Sequence, residues 1–190
     1  MARASKREDL AQAALAQFRE HGFNGTGISD IAAAAGAPKG SFYNHFASKQ
    51  ACAVEALGRY AQSLRFDILT EPGRPALERL RAHFEFLSQD TARGGFAGGC
   101  LAGNLAAEVA DHVPEIRSAV RAGFGRWSAL IGQALAEAQQ AGELDGALDA
   151  AAAAVFILSA WEGTLIVARA DKSPAPFDAF FAMVFGAFLR

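Results

Sequence analysis

The stretch from Ile28 to Phe46 reads ISDIAAAAGAPKGSFYNHF. It contains a short alanine-rich segment, then Gly36 and Pro38, then a second short segment that starts at Lys39. Because glycine commonly ends a helix and proline is favoured where one begins, this pattern predicts two short helices joined by a tight turn. Such a pair is typical of a helix-turn-helix, with Lys39 to about Phe46 as its second helix.

The rest of the chain also shows helical patterns. Before this stretch, Lys6 to His21 carries Leu10, Ala14 and Phe18 at helical spacing, and Gly22 supplies a stop. After it, helical segments are expected at about 49–69, 75–91, 100–110, 114–140, 149–170 and 177–188. The sequence therefore predicts an all-α fold of about nine helices. A three-helix helix-turn-helix head would occupy residues 1–48 and a larger helical domain residues 49–190.

Composition and charge suit a globular protein with a DNA-binding head. Of 190 residues, 52% are hydrophobic and 20% are charged, which is typical of a soluble domain. The net charge is −2, but residues 1–49 carry six basic and four acidic groups, so the acidic excess lies in the remainder. The sign of this asymmetry favours a head that meets phosphates.

No metal, cofactor or membrane span is predicted. Cys52 and Cys100 lack metal-ligand spacing, the four histidines are dispersed, and a reducing cytoplasm is the simplest location. The N-terminus lacks the apolar core of a signal peptide. The longest apolar stretch, residues 150–168, is interrupted by Glu162 and is interpreted as a buried helix.

Several residue types in fixed order resemble a known family. Residues 18–23 (FREHGF), Thr26, residues 31–46 and Ser48-Lys49 resemble the head of the tetracycline-repressor (TetR/AcrR) family. The resemblance covers roughly a quarter of the chain. One departure is Gly27, where the family often has a Ser or Thr cap, and glycine caps almost as well. The resemblance implies a dimeric DNA-binding transcriptional regulator of the cytoplasm, most often a repressor.

The resemblance also implies which residues face the DNA. Lys39 and Ser41 are expected near base edges, with Gly40 allowing close backbone approach, whereas Phe42 belongs to the core. Phosphate contacts are expected chiefly from Thr26, Tyr43, His45 and Lys49. The full predicted DNA-binding set is Thr26, Lys39, Gly40, Ser41, Tyr43, Asn44, His45 and Lys49.

A single short helix reads too few base pairs, so two heads on a palindromic operator are expected. The last two helices are the candidate homodimer interface because one carries small residues at four-residue spacing and the other is rich in phenylalanine. The alternative is an ordinary intrachain core. The candidates are Val155, Ser159, Gly163, Val167, Phe181, Phe185 and Phe188.

The second domain is similar to one branch of the family through residues 99–108, GCLAGNLAAE. In that branch some repressors control genes for reactive or unsaturated molecules. Cys100, at a helix start, is therefore a candidate electrophile or oxidant sensor, with Lys172 as a candidate partner; the alternative is a small buried apolar residue. Candidates for an effector pocket are Phe84, Phe96, Asn104, Phe124, Trp127 and Trp161.

Three functions are weighed. The main hypothesis is a repressor released from a palindromic operator by a small-molecule or electrophilic effector, although an activator fits the same residues. The second is a ligand-independent architectural DNA binder. The third is an enzyme that uses a cavity of the larger domain; Ser88, His83 and Asp90 lie close in sequence, but no oxyanion device accompanies them. No catalytic residue is assigned.

Overall fold

The computed structural model describes residues 6–189, and that part of the chain holds nine α-helices and no β-strand. The helices are α1 (Lys6–His21), α2 (Ile28–Ala34), α3 (Lys39–Tyr43), α4 (Lys49–Ser63), α5 (Ala76–Arg93), α6 (Leu101–Val109), α7 (Pro114–Gln140), α8 (Ala150–Asp171) and α9 (Ala175–Met183). A 3₁₀ turn at Phe66–Thr70 follows α4, and a π-helical turn at Val184–Phe188 extends α9. The prediction of an all-α fold with about nine helices is confirmed.

The helices divide into two compact units. Within the described residues, 6–189, the first unit contains the chain up to Ser63 and the returning segment Leu101–Gly123, and the second contains Leu64–Cys100 and the chain from Phe124. Within the first unit α4 packs along α1, with Cys52, Ala53 and Ala56 fully buried. The assignment of residues 1–48 to a DNA-binding domain and 49–190 to an effector-binding and dimerisation domain stays a prediction.

The first unit has a core built from the apolar faces of its helices. Leu10, Ala14 and Phe18 recur every four residues on α1, and all three side chains are fully buried. Phe42 of α3 and Ile31 of α2 are also fully buried. α3 is only five residues long. Since an isolated helix of this length is unstable in water, burial of Phe42 must hold it in place.

The boundaries of the two short helices differ slightly from prediction. Pro38 is the extended N-cap of α3 rather than its first helical residue, with φ −61° and ψ 145°. α3 ends at Tyr43 instead of Phe46, although the N–H groups of His45 and Phe46 still donate to the Phe42 carbonyl, at 3.0 and 2.9 Å. Gly27 caps α2, and its N–H donates to the Asp30 carboxylate at 2.8 Å.

α4 is shorter than predicted. It ends at Ser63, whereas the apolar pattern predicted a helix to about residue 69. Arg65 has a φ of 52°, in the left-handed region that ends a right-handed helix. Its guanidinium binds the Asp67 carboxylate through Nε at 2.8 Å and Nη2 at 2.7 Å, which stabilises this turn.

The second unit has an aromatic core. Phe84 of α5, Trp127 of α7 and Trp161 of α8 are at most 2% exposed. Phe180 of α9 completes the cluster, with its ring centroid 5.1 Å from that of Phe84 and 5.2 Å from that of Trp161. α8 is long and apolar enough to cross a membrane by length and composition alone, but its inner face is built into this aromatic core.

Candidate DNA-binding and effector sites

The exposed face of α3 carries most of the predicted DNA-binding residues. Lys39, Gly40 and Asn44 are exposed, and the Tyr43 ring is 58% exposed. Ser41 and His45 are half-buried. Because Phe42 anchors the opposite face in the core, this face is fixed and directed outwards. Such an arrangement can present side chains to the edges of base pairs in a major groove.

A concave groove adjoins this face. It is lined by the start of α2, by Lys39 and Tyr43 of α3, and by the start of α4; its residues are Gly27, Ile28, Ser29, Lys39, Tyr43, Ala47, Ser48, Lys49 and Gln50. Ser48 caps α4, since its Oγ accepts a hydrogen bond from the Ala51 N–H at 3.1 Å. The start of a helix presents unpaired N–H groups and a partial positive charge. The groove is therefore suited to a phosphate group.

Thr26 has a structural role that differs from the expected phosphate contact. Its side chain is 1% exposed, and its Oγ1 donates to the Gly22 carbonyl at 2.7 Å. A buried hydroxyl whose proton is used in this way cannot donate to a phosphate on the surface. The predicted phosphate contact of the Thr26 side chain is therefore corrected: the hydroxyl stabilises the α1–α2 turn (residues 22–27).

Lys49 is likewise turned inwards. Its Nζ donates to the carbonyls of Phe23 and Thr26 at 2.9 and 3.0 Å and lies 4.1 Å from the centre of the Phe23 ring. These contacts use most of what an ammonium group can donate. In this structure the ammonium holds the α1–α2 turn, and the expected phosphate contact of Lys49 stays a prediction. The backbone at the start of α4 remains in the groove.

Arg7 is a residue that sequence analysis missed. Its Nη1 donates to the His45 carbonyl at 2.8 Å, its Nη2 pairs with the Glu55 carboxylate, and its guanidinium lies 4.8 Å from the centre of the Phe46 ring. Arg7 therefore fixes the end of α3 against α1 and α4. In the sequence it is one of six basic groups of the first 49 residues, and no pattern distinguishes it.

Cys100 is 3% exposed and immediately precedes α6. Its thiol hydrogen-bonds to the Glu162 carboxyl of α8. Burial raises the pKa of the Glu162 carboxyl to about 7, and the hydrogen bond with Cys100 partly offsets this rise. Within the described part of the chain, no group hydrogen-bonds to the buried Oε1 of Glu162. In the sequence, Glu162 stands out only as a charged residue that interrupts an apolar stretch. That charge was the sequence signal for the Cys100–Glu162 pair.

The loop before Cys100 is held by Lys172. The Lys172 Nζ donates to the Phe96 carbonyl at 3.2 Å, and the Phe96 ring stacks on Phe177 at 6.4 Å between centroids. Phe96 has a φ of 56°, which is unusual for a residue with a bulky side chain. The structure thus gives Lys172 a role in ordering the glycine-rich loop that leads to Cys100.

The predicted pocket residues occupy different environments. Phe84, Trp127 and Trp161 pack ring against ring in the core of the second unit, whereas Phe124 and Asn104 are half-buried on α7 and α6. The role of these five residues and of Phe96 in effector binding stays a prediction.

The residues of the enzyme hypothesis are not assembled as a catalytic set. His83 is fully buried, and its Nε2 accepts a hydrogen bond from Trp127 Nε1 at 3.0 Å. Burial lowers the pKa of His83 to about 4. Ser88 Oγ donates to the Glu85 carbonyl at 2.9 Å, and Asp90 pairs with Arg93 on the surface. The histidine therefore serves as a core acceptor for Trp127.

An apolar groove of about 670 Å³ lies between α8 and α9. It includes Gly163 and Val167 of α8 and Phe188 after α9. On these elements, Val155, Phe156, Ile166, Val167 and Met183 are between 48% and 70% exposed, and Ser159 is exposed as well. Sequence analysis missed Phe156, Ile166 and Met183. So much exposed apolar surface is typical of an interface with another chain.

Phe181 and Phe185 make a separate contact within the chain. Both are half-buried, their ring centroids are 5.8 Å apart, and the Arg81 guanidinium lies 5.4 and 5.5 Å from the two ring centres. Their predicted place in the dimer interface stays a prediction.

Comparison with known proteins extends the resemblance along the chain. The model described as "Bacterial regulatory proteins, tetR family" matches residues 10–56, and "Tetracyclin repressor-like, C-terminal domain" matches residues 76–184. The HTH-type transcriptional repressor DhaR of Mycobacterium sp. (strain GP1) is 31% identical, over 100% of this chain and 95% of DhaR. The transcriptional regulator AcuR of Cereibacter sphaeroides is 32% identical, over 91% of this chain and 80% of AcuR.

Solved structures give the same result. The regulatory protein TetR from Rhodobacter sphaeroides has a TM-score of 0.87 and 30% identity, covering 96% of this chain and 98% of that one. The reduced form of Escherichia coli NemR has a TM-score of 0.84 and 28% identity, covering 94% and 95%. Because these similarities run from the helix-turn-helix to the last helix, the chain belongs to the TetR family of bacterial DNA-binding transcriptional regulators.

Proposed function

We propose that this regulator is a cytoplasmic homodimeric repressor that binds a palindromic operator and is released by a small electrophilic effector. The observation that carries the DNA-binding part is the outward face of α3, fixed from beneath by the fully buried Phe42. DhaR and NemR are both named as transcriptional repressors, which supports repression.

The proposed DNA contacts follow from exposure. Lys39 and Ser41 meet base edges, Gly40 permits close approach of the backbone, and Tyr43, Asn44 and His45 mainly meet phosphates. The N–H groups at the start of α4 bind a further phosphate in the adjoining groove.

The homodimer forms through the apolar groove between α8 and α9. A second copy of the same chain is the occupant that suits it, since two heads related by a two-fold axis read two half-sites about 34 Å apart. The small residues Ser159 and Gly163 on the exposed face of α8 allow the helices of two copies to approach closely.

Selection of bound duplexes from random DNA tests the proposal. Enrichment of a palindrome with a fixed half-site spacing is expected. An architectural binder would instead retain unrelated sequences with similar affinity, and that result would contradict sequence-specific repression. Transcription from a promoter that carries the selected site then distinguishes repression from activation.

Replacing Lys39 with alanine is expected to weaken binding to the selected operator about tenfold, because a charged contact to a base edge is lost. Substitution of a phosphate-binding lysine instead lowers affinity equally for all sequences. The measurement is a titration by fluorescence anisotropy on the operator and on duplexes changed at one base pair. Lys6→Ala removes the same charge at an exposed residue of α1 and is the matched control. Equal losses of affinity for the operator and the altered duplexes would contradict a base contact by Lys39.

Effector release is proposed to begin at Cys100. The thiol adds to an activated carbon–carbon double bond: sulfur bonds to the β-carbon, the π bond opens, and the thiol proton ends on the α-carbon. In its ionised form the Glu162 carboxylate, already hydrogen-bonded to the thiol, is placed to accept that proton from sulfur. Addition enlarges a side chain that is 3% exposed, so its surroundings must move.

Acrolein, an unsaturated aldehyde, is a suitable probe. It is expected to raise the operator Kd of the wild type about tenfold and to leave that of Cys100→Ser unchanged. Mass spectrometry should place the adduct at Cys100 and not at Cys52, because burial raises the pKa of the Cys52 thiol to about 12. Equal release of wild type and Cys100→Ser would contradict sensing by this cysteine.

A further inference from the structure

A carboxylate from α6 holds the backbone of the α1–α2 turn. Glu108 Oε2 accepts a hydrogen bond from the Phe23 N–H at 2.8 Å, and Oε1 accepts one from the Asn24 N–H at 2.6 Å. Both bonds are charge-assisted, which makes each stronger than a bond between neutral groups. Glu108 lies in the last turn of α6, more than 80 residues further along the chain than the turn it binds.

Several carbonyl groups of the turn are bound from within the head. Lys49 donates to the carbonyls of Phe23 and Thr26, and Thr26 donates to that of Gly22. Glu108 therefore supplies what the head lacks, an acceptor for two successive N–H groups. Because the same turn leads into Gly27 and the groove beside α3, its position determines where that groove lies.

Gly22 is the residue that permits this contact. It has a φ of 74°, and a Cβ at this position would lie 2.8 Å from Glu108 Oε2. Any other residue would thus meet both an unfavourable backbone conformation and the carboxylate itself. The carboxylate of Glu108 can therefore approach this closely only because the residue at the end of α1 is a glycine.

We propose that Glu108 is a positioning residue for operator binding, which fixes the head at the α1–α2 turn. Glu108 belongs to the segment 76–184 that matches the C-terminal domain of the family, so through it that segment holds the DNA-binding head directly. The role rests on operator binding as proposed above. It assigns Glu108 no contact with DNA.

The first test compares operator affinity. Glu108→Gln retains the shape, but its NH₂ group replaces one of the two carboxylate oxygens and cannot accept, so one of the two N–H groups loses the acceptor it has in the wild type. We expect Glu108→Gln and Glu108→Ala to raise the operator Kd about tenfold. Glu115→Gln, at the exposed start of α7, removes the same charge in the same unit and should leave the Kd unchanged.

The second test uses the spacing of the half-sites. Inserting one base pair between the half-sites moves one of them further along the duplex axis and rotates it about that axis. Two heads held in fixed positions cannot contact both half-sites in this new arrangement. Wild type should therefore lose much of its affinity for the altered site, and Glu108→Gln should lose less, because its heads are less restrained. Partial unfolding would lower the active fraction but leave the penalty for insertion unchanged. In Gly22→Ala the new Cβ displaces the Glu108 carboxylate although Glu108 itself is unchanged, and this variant should show the same smaller penalty for the insertion.

The outcomes separate the two proposals. If wild type selects no palindrome, the proposed function and the role of Glu108 both fail. If wild type binds a palindrome but the Kd and the spacing penalty of Glu108→Gln equal those of wild type, only the role of Glu108 is overturned. Relaxed spacing in Glu108→Gln and Gly22→Ala, but not in Glu115→Gln, supports it.

Discussion

Replacing Val167 with glutamate is expected to convert the homodimer into monomers and to weaken binding to palindromic DNA at least ~100-fold. Val167 is 48% exposed in the groove between α8 and α9, so a single chain tolerates the change. In a dimer, two carboxylates would enter an apolar interface close to a two-fold axis. Burying unpaired like charges there costs several kcal/mol.

Sedimentation velocity of wild type and Val167→Glu at equal concentration measures the first effect, and operator titration the second. Gln89→Glu introduces the same charge on an exposed position of α5 and should remain dimeric. A dimeric Val167→Glu that binds the operator normally would place the interface elsewhere and leave the groove for another occupant.

Replacing Glu162 with glutamine is expected to remove a loss of stability that the wild type shows as the pH rises from 4.5 through about 7. The pKa of Glu162 is about 7 in the folded protein, against an ordinary 4.5, because the carboxyl is buried. The folded state therefore retains a proton that the unfolded chain has released. The resulting stability is fully present below pH 4.5 and is lost as pH rises through 7. The difference corresponds to about 3 kcal/mol in the free energy of unfolding.

Urea unfolding between about pH 4 and pH 8 measures this effect. Wild type should lose stability relative to Glu162→Gln as the pH rises, whereas the exposed Glu78→Gln should follow wild type. A constant difference between wild type and Glu162→Gln would show that the carboxyl titrates normally. The contribution of His83 to the pH dependence of stability has the opposite sign, because its lowered pKa makes stability fall as pH drops from 6.5 through about 4. Comparison with Glu162→Gln removes this shared contribution.

The head was predictable because its signals are local. Gly22, Gly36 and Pro38 mark helix ends, and the apolar spacing of α1 places Phe18 in the core. The end of α4 was not predictable in this way. The apolar pattern continues beyond Ser63, and only the left-handed conformation of Arg65, bound to Asp67, ends the helix there.

Side-chain roles within the head were harder to predict than its helices. Thr26 and Lys49 were assigned to phosphates, yet both bind carbonyls of the α1–α2 turn. A sequence shows that a residue can donate hydrogen bonds but not which acceptor the fold brings closest. Glu108 is the clearest example, because its partners lie more than 80 residues earlier and no local pattern connects them.

The alternation along α3 has a consequence for evolution. Phe42 of α3 and Phe46, which follows the helix, are at most 3% exposed and hold this segment to its core, whereas Lys39, Gly40 and the C-cap residue Asn44 face solvent. Substitutions at exposed positions usually change stability by less than about 0.5 kcal/mol. With the DNA contacts proposed above, a descendant of this protein can therefore change its target sequence one residue at a time and stay folded at each step.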